Sequence, residues 1–348
     1  MMELALKLAQ QGALPDGLLR FGVRRLARQR MNALPPSNGK SPEDHVKAFI
    51  DAISTQPIAI LTDLANEQHY EVPPRFFELT LGAHLKYSCC EWNAETHSLD
   101  EAEALALNTI SNRARLSNGL EILELGCGWG SLTLWMAEHY PQSRILAVSN
   151  SAPQRAHIEA RAKERGLTNI EVRTEDMNTF APGRHFDRIV SIEMFEHMRN
   201  WPKLMDRVSD WLKPEGLFFL HVFTHREAPY LFEVQDASDW MSQYFFSGGM
   251  MPSSDLAPRC ARSLKSLEQW TVNGSHYEKT SNAWLKNMDA HRENILPILE
   301  TTYGASEVTL WWNRWRIFFI ACAEVFGYAG GKEWPVMHYL FQKQEKAG

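Results

Sequence analysis

The sequence predicts an α/β fold built on a mostly parallel sheet, and three observations predict it. Short apolar runs alternate with helical patterns between residues 121 and 222. A glycine-rich turn joins the first of these runs to the helix after it. The alternation then stops, and an aromatic stretch with paired glycines takes over from about residue 226. Strands that alternate with helices form parallel sheets covered on both faces, because right-handed crossovers carry each helix over the sheet. Ligands of such sheets sit beyond the carboxyl ends of the strands.

In order, Glu121-Ile-Leu-Glu-Leu125 reads as a strand, followed by the glycine turn and a helix over about 131–139. Arg144–Val148 is a second strand, with a helix at about 152–165. Ile170–Arg173 and Phe186–Ser191 are the third and fourth, and a helix around Trp201–Leu212 precedes a fifth, Gly216–Val222. Residues 226–265 carry Trp240, Tyr244, Phe245, Phe246, Gly248, Gly249 and Pro252. They read either as a lid over the site or as a surface loop with a small core of its own. Helices fill about 280–327, and Trp334–Phe341 is a last strand. Upstream, residues 1–33 look helical, 34–42 form a proline-rich linker and 43–115 are mainly helical. The expected division is therefore a helical N-terminal cap (1–115), a Rossmann-like core (116–225) and a C-terminal part (226–348). That last part holds the lid insertion, the late helices and the final strands.

Composition is that of a soluble globular chain: 348 residues, 44% hydrophobic and 22% charged. A net charge of −6 gives no global attraction to nucleic acid. The five cysteines (Cys89, Cys90, Cys127, Cys260 and Cys322) are odd in number and form no CxxC pair. Neither a disulfide framework nor a structural zinc site is expected, and a reducing cytosol suits them. The start, Met1-Met-Glu-Leu, lacks the order of a signal peptide, and no apolar run approaches the roughly 20 residues of a membrane span. Arg20, Arg24, Arg25, Arg28 and Arg30 make the N-terminal stretch basic beside Leu18, Leu19, Phe21, Val23 and Leu26. That pattern fits an amphipathic helix on a membrane or acidic partner, and equally a capping helix with a solvated face.

The chemistry begins at Glu124-Leu-Gly126-Cys-Gly128-Trp-Gly130-Ser131. Glycines let backbone approach a ligand and turn tightly into a helix. The spacing is GxGxG, whereas dinucleotide enzymes use GxGxxG. The second strand ends in Val148-Ser-Asn150, so an amide rather than a carboxylate stands where ribose hydroxyls are usually met. After the third strand, Glu175-Asp176-Met177 offers an acid for an adenine amino group and a side chain to pack on the ring.

These motifs, with EMFEHM after the fourth strand, resemble the Rossmann-like class I S-adenosylmethionine methyltransferases. More narrowly, the chain resembles the branch that holds cyclopropane fatty acid synthases and plant alkaloid N-methyltransferases, those of coclaurine type included. The upstream His69-Tyr70-Glu-Val-Pro and Tyr87-Ser88-Cys89-Cys90-Glu-Trp92 match that branch over roughly residues 45–345. The stretches at 244–256, 276–289 and 315–328 read like its alkaloid members. The resemblance implies a seven-stranded, mostly parallel sheet and S-adenosyl-L-methionine as cofactor. It implies cofactor contacts from Tyr87, Ser88, Gly126, Gly128, Asn150, Gln154, Asp176, Met177 and the backbone near Ser191. Trp129 is read either as a contact or as packing. No metal is implied; a homodimer is.

Glu193 and Glu196 stand i and i+3. If this segment begins a helix they share one face, beside the methyl to be transferred. Acids at a helix start are also common for the dipole alone. An alkyl amine is mostly protonated near neutral pH, as lysine is, so its methylation requires a base or selection of the free amine. His197 suits the base, Glu196 its orientation, and Glu193 the ammonium. The expected reaction is N-methylation of a small amine, a benzylisoquinoline or related aralkyl amine. The rival is cyclopropanation of unsaturated lipid, with bound bicarbonate as base. By motif, the residues that hold bicarbonate in the synthases correspond to Cys89, Glu196, His221 and Tyr277. Against the rival, Glu193 stands where those synthases carry glycine. Cys322 is read as packing. A noncatalytic binding protein with this fold is the third reading, poorly motivated with EMFEH intact.

Overall fold

The computed structural model describes residues 2–37, 39, 41–60, 72–234, 236 and 239–344. The His69-Tyr70-Glu71 part of the upstream signature lies outside the described residues. The strands are β1 (Glu121–Leu125), β2 (Arg144–Ser149), β3 (Ile170–Thr174), β4 (Phe186–Ile192), β5 (Leu212–Phe223), β6 (Tyr230–Leu231), β7 (Met250–Met251), β8 (Leu264–Val272) and β9 (Val336–Lys343). Seven of them form one sheet in the order β3-β2-β1-β4-β5-β9-β8. β1 to β5 are parallel, and β9 runs antiparallel between β5 and β8. This is the class I methyltransferase fold. The winding reverses between β1 and β4, which leaves a crevice at their carboxyl ends.

Both faces of the sheet are buried, which explains why the central strands read as continuous apolar runs. Leu123, Leu125, Leu146, Phe218 and Leu220 pack on one side against Leu204 and Val208 of the helix Trp201–Trp211. Ile122, Ile145, Val190 and Phe219 pack on the other. There they meet Leu107 and Ile110 of the helix Leu99–Arg113, and Leu132 and Met136 of the helix Ser131–His139. Truncating one of these side chains, for example Leu204→Ala, costs about 2–5 kcal/mol. Local signals set the helix starts. Ser98, Ser151 and Asn200 each accept an N–H from the first turn of the helix they precede.

Several expectations change. The N-terminal stretch is two helices, Met2–Gln10 and Asp16–Ala33, with Gly12 between them at φ +74°. Its basic residues face the molecule's own acids: Arg20 and Arg24 pair with the buried Glu324, and Arg30 with Asp239. Arg25, Arg28, Leu18 and Phe21 stay exposed. Residues 81–98, expected among helices, run without regular structure between the helices Pro74–Thr80 and Leu99–Arg113. The aromatic insertion holds the β6–β7 ribbon and two short helices, Trp240–Tyr244 and Leu256–Cys260. Its Trp240, Phe245, Met250 and Leu256 are buried in the main clusters, so it is built into the core. The seventh strand, β8, had no position assigned from the sequence. It is an edge strand with mostly exposed, polar side chains and a register shift between Ser266 and Glu268, which hides any apolar alternation. No helix of the described residues is long and apolar enough to cross a membrane.

Candidate active site

A cavity opens at the carboxyl ends of β1, β2, β3 and β4. Tyr87, Ser88, Gly126, Gly128, Trp129, Asn150, Gln154, Glu175, Met177, Glu193 and His197 are among its lining residues. The three loop glycines have different tasks. A Cβ on Gly126 would meet Met194 side-chain atoms at 2.5 Å, and one on Gly130 would meet Ile158 at 2.6 Å. A Cβ on Gly128 would meet nothing within 4 Å. Gly128 therefore borders open cavity, and its φ of +52° disfavours a side chain in any case.

The cofactor half of the cavity holds polar atoms that lack partners. Ser131 Oγ and Gln154 Nε2 are buried with no hydrogen-bond partner among the described residues, and both residues line the cavity. Gln154 is held from the other end, because its Oε1 accepts from Ser149 Oγ at 2.6 Å. Glu124 also lines the cavity. It accepts from Thr133 Oγ1, and burial pushes its carboxyl up to about 8. Buried donors and an acid without a counter-charge fit a polar, cationic ligand such as S-adenosylmethionine.

Two of the residues expected at the cofactor also make local hydrogen bonds. The Asp176 carboxylate accepts the Asn178 N–H at 2.7 Å and shapes the turn after β3, while its neighbour Glu175 borders the cavity. Ser191 is fully buried and donates to the Leu125 carbonyl, which ties β4 to β1. Trp129 lies against Phe77 and His157 and borders the cavity as well, so it is both packing and wall.

The other half is a closed polar network centred on Glu193. β4 ends at Ile192, and Glu193 follows at φ +46°, in the left-handed region that favours glycine. That turn aims its carboxylate at three donors. Oε1 accepts from the Cys89 backbone N–H at 2.9 Å and from His221 Nε2 at 3.0 Å. Oε2 accepts from the Tyr277 hydroxyl at 2.7 Å. Cys89, His221 and Tyr277, three of the four positions that motif assigns to bicarbonate, converge here on a side-chain carboxylate. Tyr277 is stacked on Phe326 with ring centroids 4.2 Å apart. The Cys89 segment is pinned by Thr280 Oγ1, which accepts from Cys90 N–H and Trp92 Nε1. Lys86, buried beside it, donates to Ser88 Oγ and the Cys89 carbonyl.

Glu193 and Glu196 do not share a helix face. Only one turn of 3-10 helix forms, Phe195–His197, because the positive φ at Glu193 turns the chain first. Glu196 is buried, outside the cavity lining; its Oε1 accepts the Phe223 N–H and its Oε2 has no partner among the described residues. Burial and the neighbouring Glu193 hold the Glu196 carboxyl well above the usual carboxylate range. Glu193 is also raised by burial, but Lys86, the Cys89 N–H and the Tyr277 hydroxyl pull it back. Of the two, Glu196 holds its proton the more tightly. His197 borders the cavity and stacks on Phe246, with ring centroids 5.7 Å apart. Burial pushes it down to about 4, so it is neutral at pH 7. Burial pushes the Cys89 and Cys322 thiols up, so neither is a thiolate nucleophile.

Residues 62–330 match the mycolic acid cyclopropane synthetase family. The chain belongs to that family. Among relatives of this synthetase family, (S)-coclaurine N-methyltransferase of Thalictrum flavum subsp. glaucum is 34% identical over 343 residues, which cover 97% of this chain and 95% of that protein. Cyclopropane-fatty-acyl-phospholipid synthase of Escherichia coli (strain K12) is 30% identical over 223 residues, covering 64% of this chain and 55% of that one. A crystal structure of coclaurine N-methyltransferase bound to N-methylheliamine and SAH superposes with a TM-score of 0.93 at 33% identity, covering 97% of this chain and 99% of that one.

His221, Tyr277 and Lys86 were absent from the set expected to serve amine methylation. His221 and Tyr277 lie 28 and 84 residues beyond Glu193. No local pattern joins them; only the synthase comparison drew attention to these two.

Proposed function

We propose that the chain is an S-adenosylmethionine-dependent N-methyltransferase of a small amine, a benzylisoquinoline of coclaurine type or a related aralkyl amine. One observation carries the reading over lipid cyclopropanation. The Glu193 carboxylate already occupies the donors that a bicarbonate ion would need, and a second anion there would be repelled. The near-full-length similarity to an alkaloid N-methyltransferase supports it.

When bound, S-adenosylmethionine supplies a methyl group on a sulfonium, open to in-line displacement. Tyr87, Ser88, Gly126, Gly128, Asn150, Gln154, Asp176, Met177 and the backbone at Ser191 would hold that ligand. Glu193 draws the amine into the cavity as a cation and compensates its charge. His197, neutral at working pH, takes the proton from the bound ammonium, and the freed lone pair then attacks the methyl carbon as its bond to sulfur breaks. Phe246 keeps the imidazole oriented and screened from water. Glu196 acts through the backbone, as a neutral acid that holds the end of β5. Positioning of nucleophile, carbon and leaving sulfur on one line supplies most of the rate enhancement.

The test is a panel of tetrahydroisoquinolines, simple phenethylamines and unsaturated phospholipid vesicles, assayed with methyl-labelled cofactor. Label in an amine product is the expected result; faster labelling of phospholipid overturns the reading. A reducing cytosol suits the five buried, unpaired thiols. A homodimer is the assembly that the family resemblance supports, and light scattering checks it.

A further inference from the structure

Behind Glu193, one row of side chains crosses the sheet. His221 on β5 is the direct cross-strand partner of His338 on β9, and His338 is in turn the partner of Trp270 on β8. Paired positions share a face, here the one covered by the helix Leu99–Arg113. Arg113, at the end of that helix, bonds through Nη1 to His338 Nδ1 at 2.7 Å and lies over the Trp270 ring. The two imidazoles are buried with ring centroids 4.4 Å apart. His221 Nδ1 and His338 Nε2 are buried polar atoms with no partner among the described residues.

Proton bookkeeping makes these two orphans complementary. A guanidinium only donates, so His338 must accept at Nδ1. A neutral imidazole has one N–H, which then sits on Nε2. At the other ring, Nε2 lies against the Glu193 carboxylate, which accepts; the single N–H of His221 is therefore on Nε2, and Nδ1 carries a lone pair. One orphan is thus a donor and the other an acceptor, on rings whose centroids are 4.4 Å apart. Burial and the cations Lys86 and Arg113 hold both histidines well below their usual range, so both are neutral.

We propose that Arg113 and His338 are positioning residues. Arg113 fixes the tautomer of His338, and His338 directs its Nε2–H at His221 Nδ1. His221 is thereby locked as the Nε2–H donor that orients Glu193. The relay rests on the amine-methylating role of Glu193, but its effect on His221 is independent of any substrate.

His338→Phe keeps an aromatic ring and removes both hydrogen bonds. His338→Gln keeps an acceptor for Arg113 and a donor for His221. Arg113→Met removes the first link at a half-exposed site. Two readouts separate the relay from the function. The first is the 15N spectrum of histidine-labelled enzyme with S-adenosylhomocysteine, His221 being assigned by comparison with His221→Gln. The parent should show His221 purely as the Nε2–H tautomer, and His338→Phe a mixture. The second is kcat and its pH profile on coclaurine, or on whichever amine the parent turns over fastest.

Expected are a kcat loss of about tenfold or more in His338→Phe with cofactor affinity unchanged, a smaller loss in Arg113→Met, and near-parental rates in His338→Gln. The acid limb should move to higher pH in His338→Phe. The groups facing Glu193 there are Lys86, Cys89, Glu196, His197, His221, Tyr277 and Cys322. A His221 tautomer that is unchanged in folded His338→Phe overturns the relay, whatever the rate does. A changed tautomer with an unchanged rate overturns its positioning role. His338→Gln as impaired as His338→Phe shows space-filling and also overturns it. A parent inactive on every amine overturns the proposed function and leaves the tautomer result standing.

Discussion

The two halves of the cavity are built on opposite principles. The cofactor half is made largely from short local runs at the strand ends, and it leaves polar atoms such as Ser131 Oγ and Gln154 Nε2 without partners among the described residues. The acceptor half is assembled from positions 86, 89, 193, 221 and 277, and there every oxygen of the central carboxylate already has a donor. A half with unspent donors is completed by its ligand. A half that is hydrogen-bonded in advance holds one charge in one place and holds it against water. Binding specificity should therefore respond to changes in the first half, and turnover to changes in the second.

The largest effect is expected at Glu193. Truncating one member of a desolvated, hydrogen-bonded charge pair typically costs about 2–5 kcal/mol. Glu193→Gly should therefore lower amine methylation by about 10- to 1000-fold, at about 1.4 kcal/mol per tenfold. Affinity for S-adenosylhomocysteine by calorimetry should be retained. Because Glu193 sits at φ +46°, glycine also relieves backbone strain. The fold should survive, so a rate loss reports chemistry rather than unfolding. Retained amine turnover in this variant would erase the distinction between the halves.

The mirror experiment is Gly128→Val. A branched side chain at φ +52° is strained and projects toward open cavity. Cofactor binding should be lost in calorimetry while the buried network around Glu193 stays intact. Binding that persists would mean the glycine loop does not border the cofactor.

The next effect is on pH. His197→Ala should lose rate far more than cofactor affinity. In the parent, burial holds His197 at about 4, below its ordinary 6.5. Its conjugate acid therefore forms only as pH falls through about 4. With the amine taken up as a cation and His197 as its base, kcat/KM should stay level between pH 8 and 6 for every amine and fall only as His197 is protonated toward about 4. A fixed midpoint near 6.5 for all amines would place an unperturbed histidine in control. The same shift makes His197 a source of acid lability. Below 6.5 the unfolded chain takes up a proton that the folded chain refuses, so stability falls as pH drops through that window.

The smallest effect concerns Glu124, raised to about 8 by burial and therefore largely protonated at pH 7. A cationic ligand in the cavity it lines should lower that value and release a fraction of a proton. Calorimetry of S-adenosylmethionine binding in buffers of different ionisation enthalpy measures the release, and Glu124→Gln should abolish it. Equal release in that variant assigns the proton to another group.

How far the sequence reaches differs between the halves for the same reason. β1 to β5 were legible because both faces of the sheet are buried and the strands read as apolar runs. The glycine turn, Asn150, Gln154 and Met177 were legible as a group because the cavity they line is made by strand ends, each with its own local motif. Asp176 and Glu175 are neighbouring acids after β3; Glu175 lines the cavity and Asp176 also accepts the Asn178 N–H. The shared helix face expected for Glu193 and Glu196 failed because periodicity assumes helical φ, and Glu193 has a positive one. β8 escaped notice because an edge strand with exposed side chains has no hydrophobic period to read. His221 and Tyr277 reach Glu193 only through tertiary structure, and no spacing rule covers that.

The central claim is that the Glu193 carboxylate takes the donors that a bicarbonate ion would otherwise need. The direct measurement is amine methylation in carbon-dioxide-free buffer, with and without added bicarbonate, for the parent and for Glu193→Gly. The account predicts a parent rate indifferent to bicarbonate and a variant whose low rate rises when the ion is supplied to the vacated donors. A parent enzyme that needs bicarbonate for amine turnover, or that is stimulated by it as strongly as the variant, would contradict it.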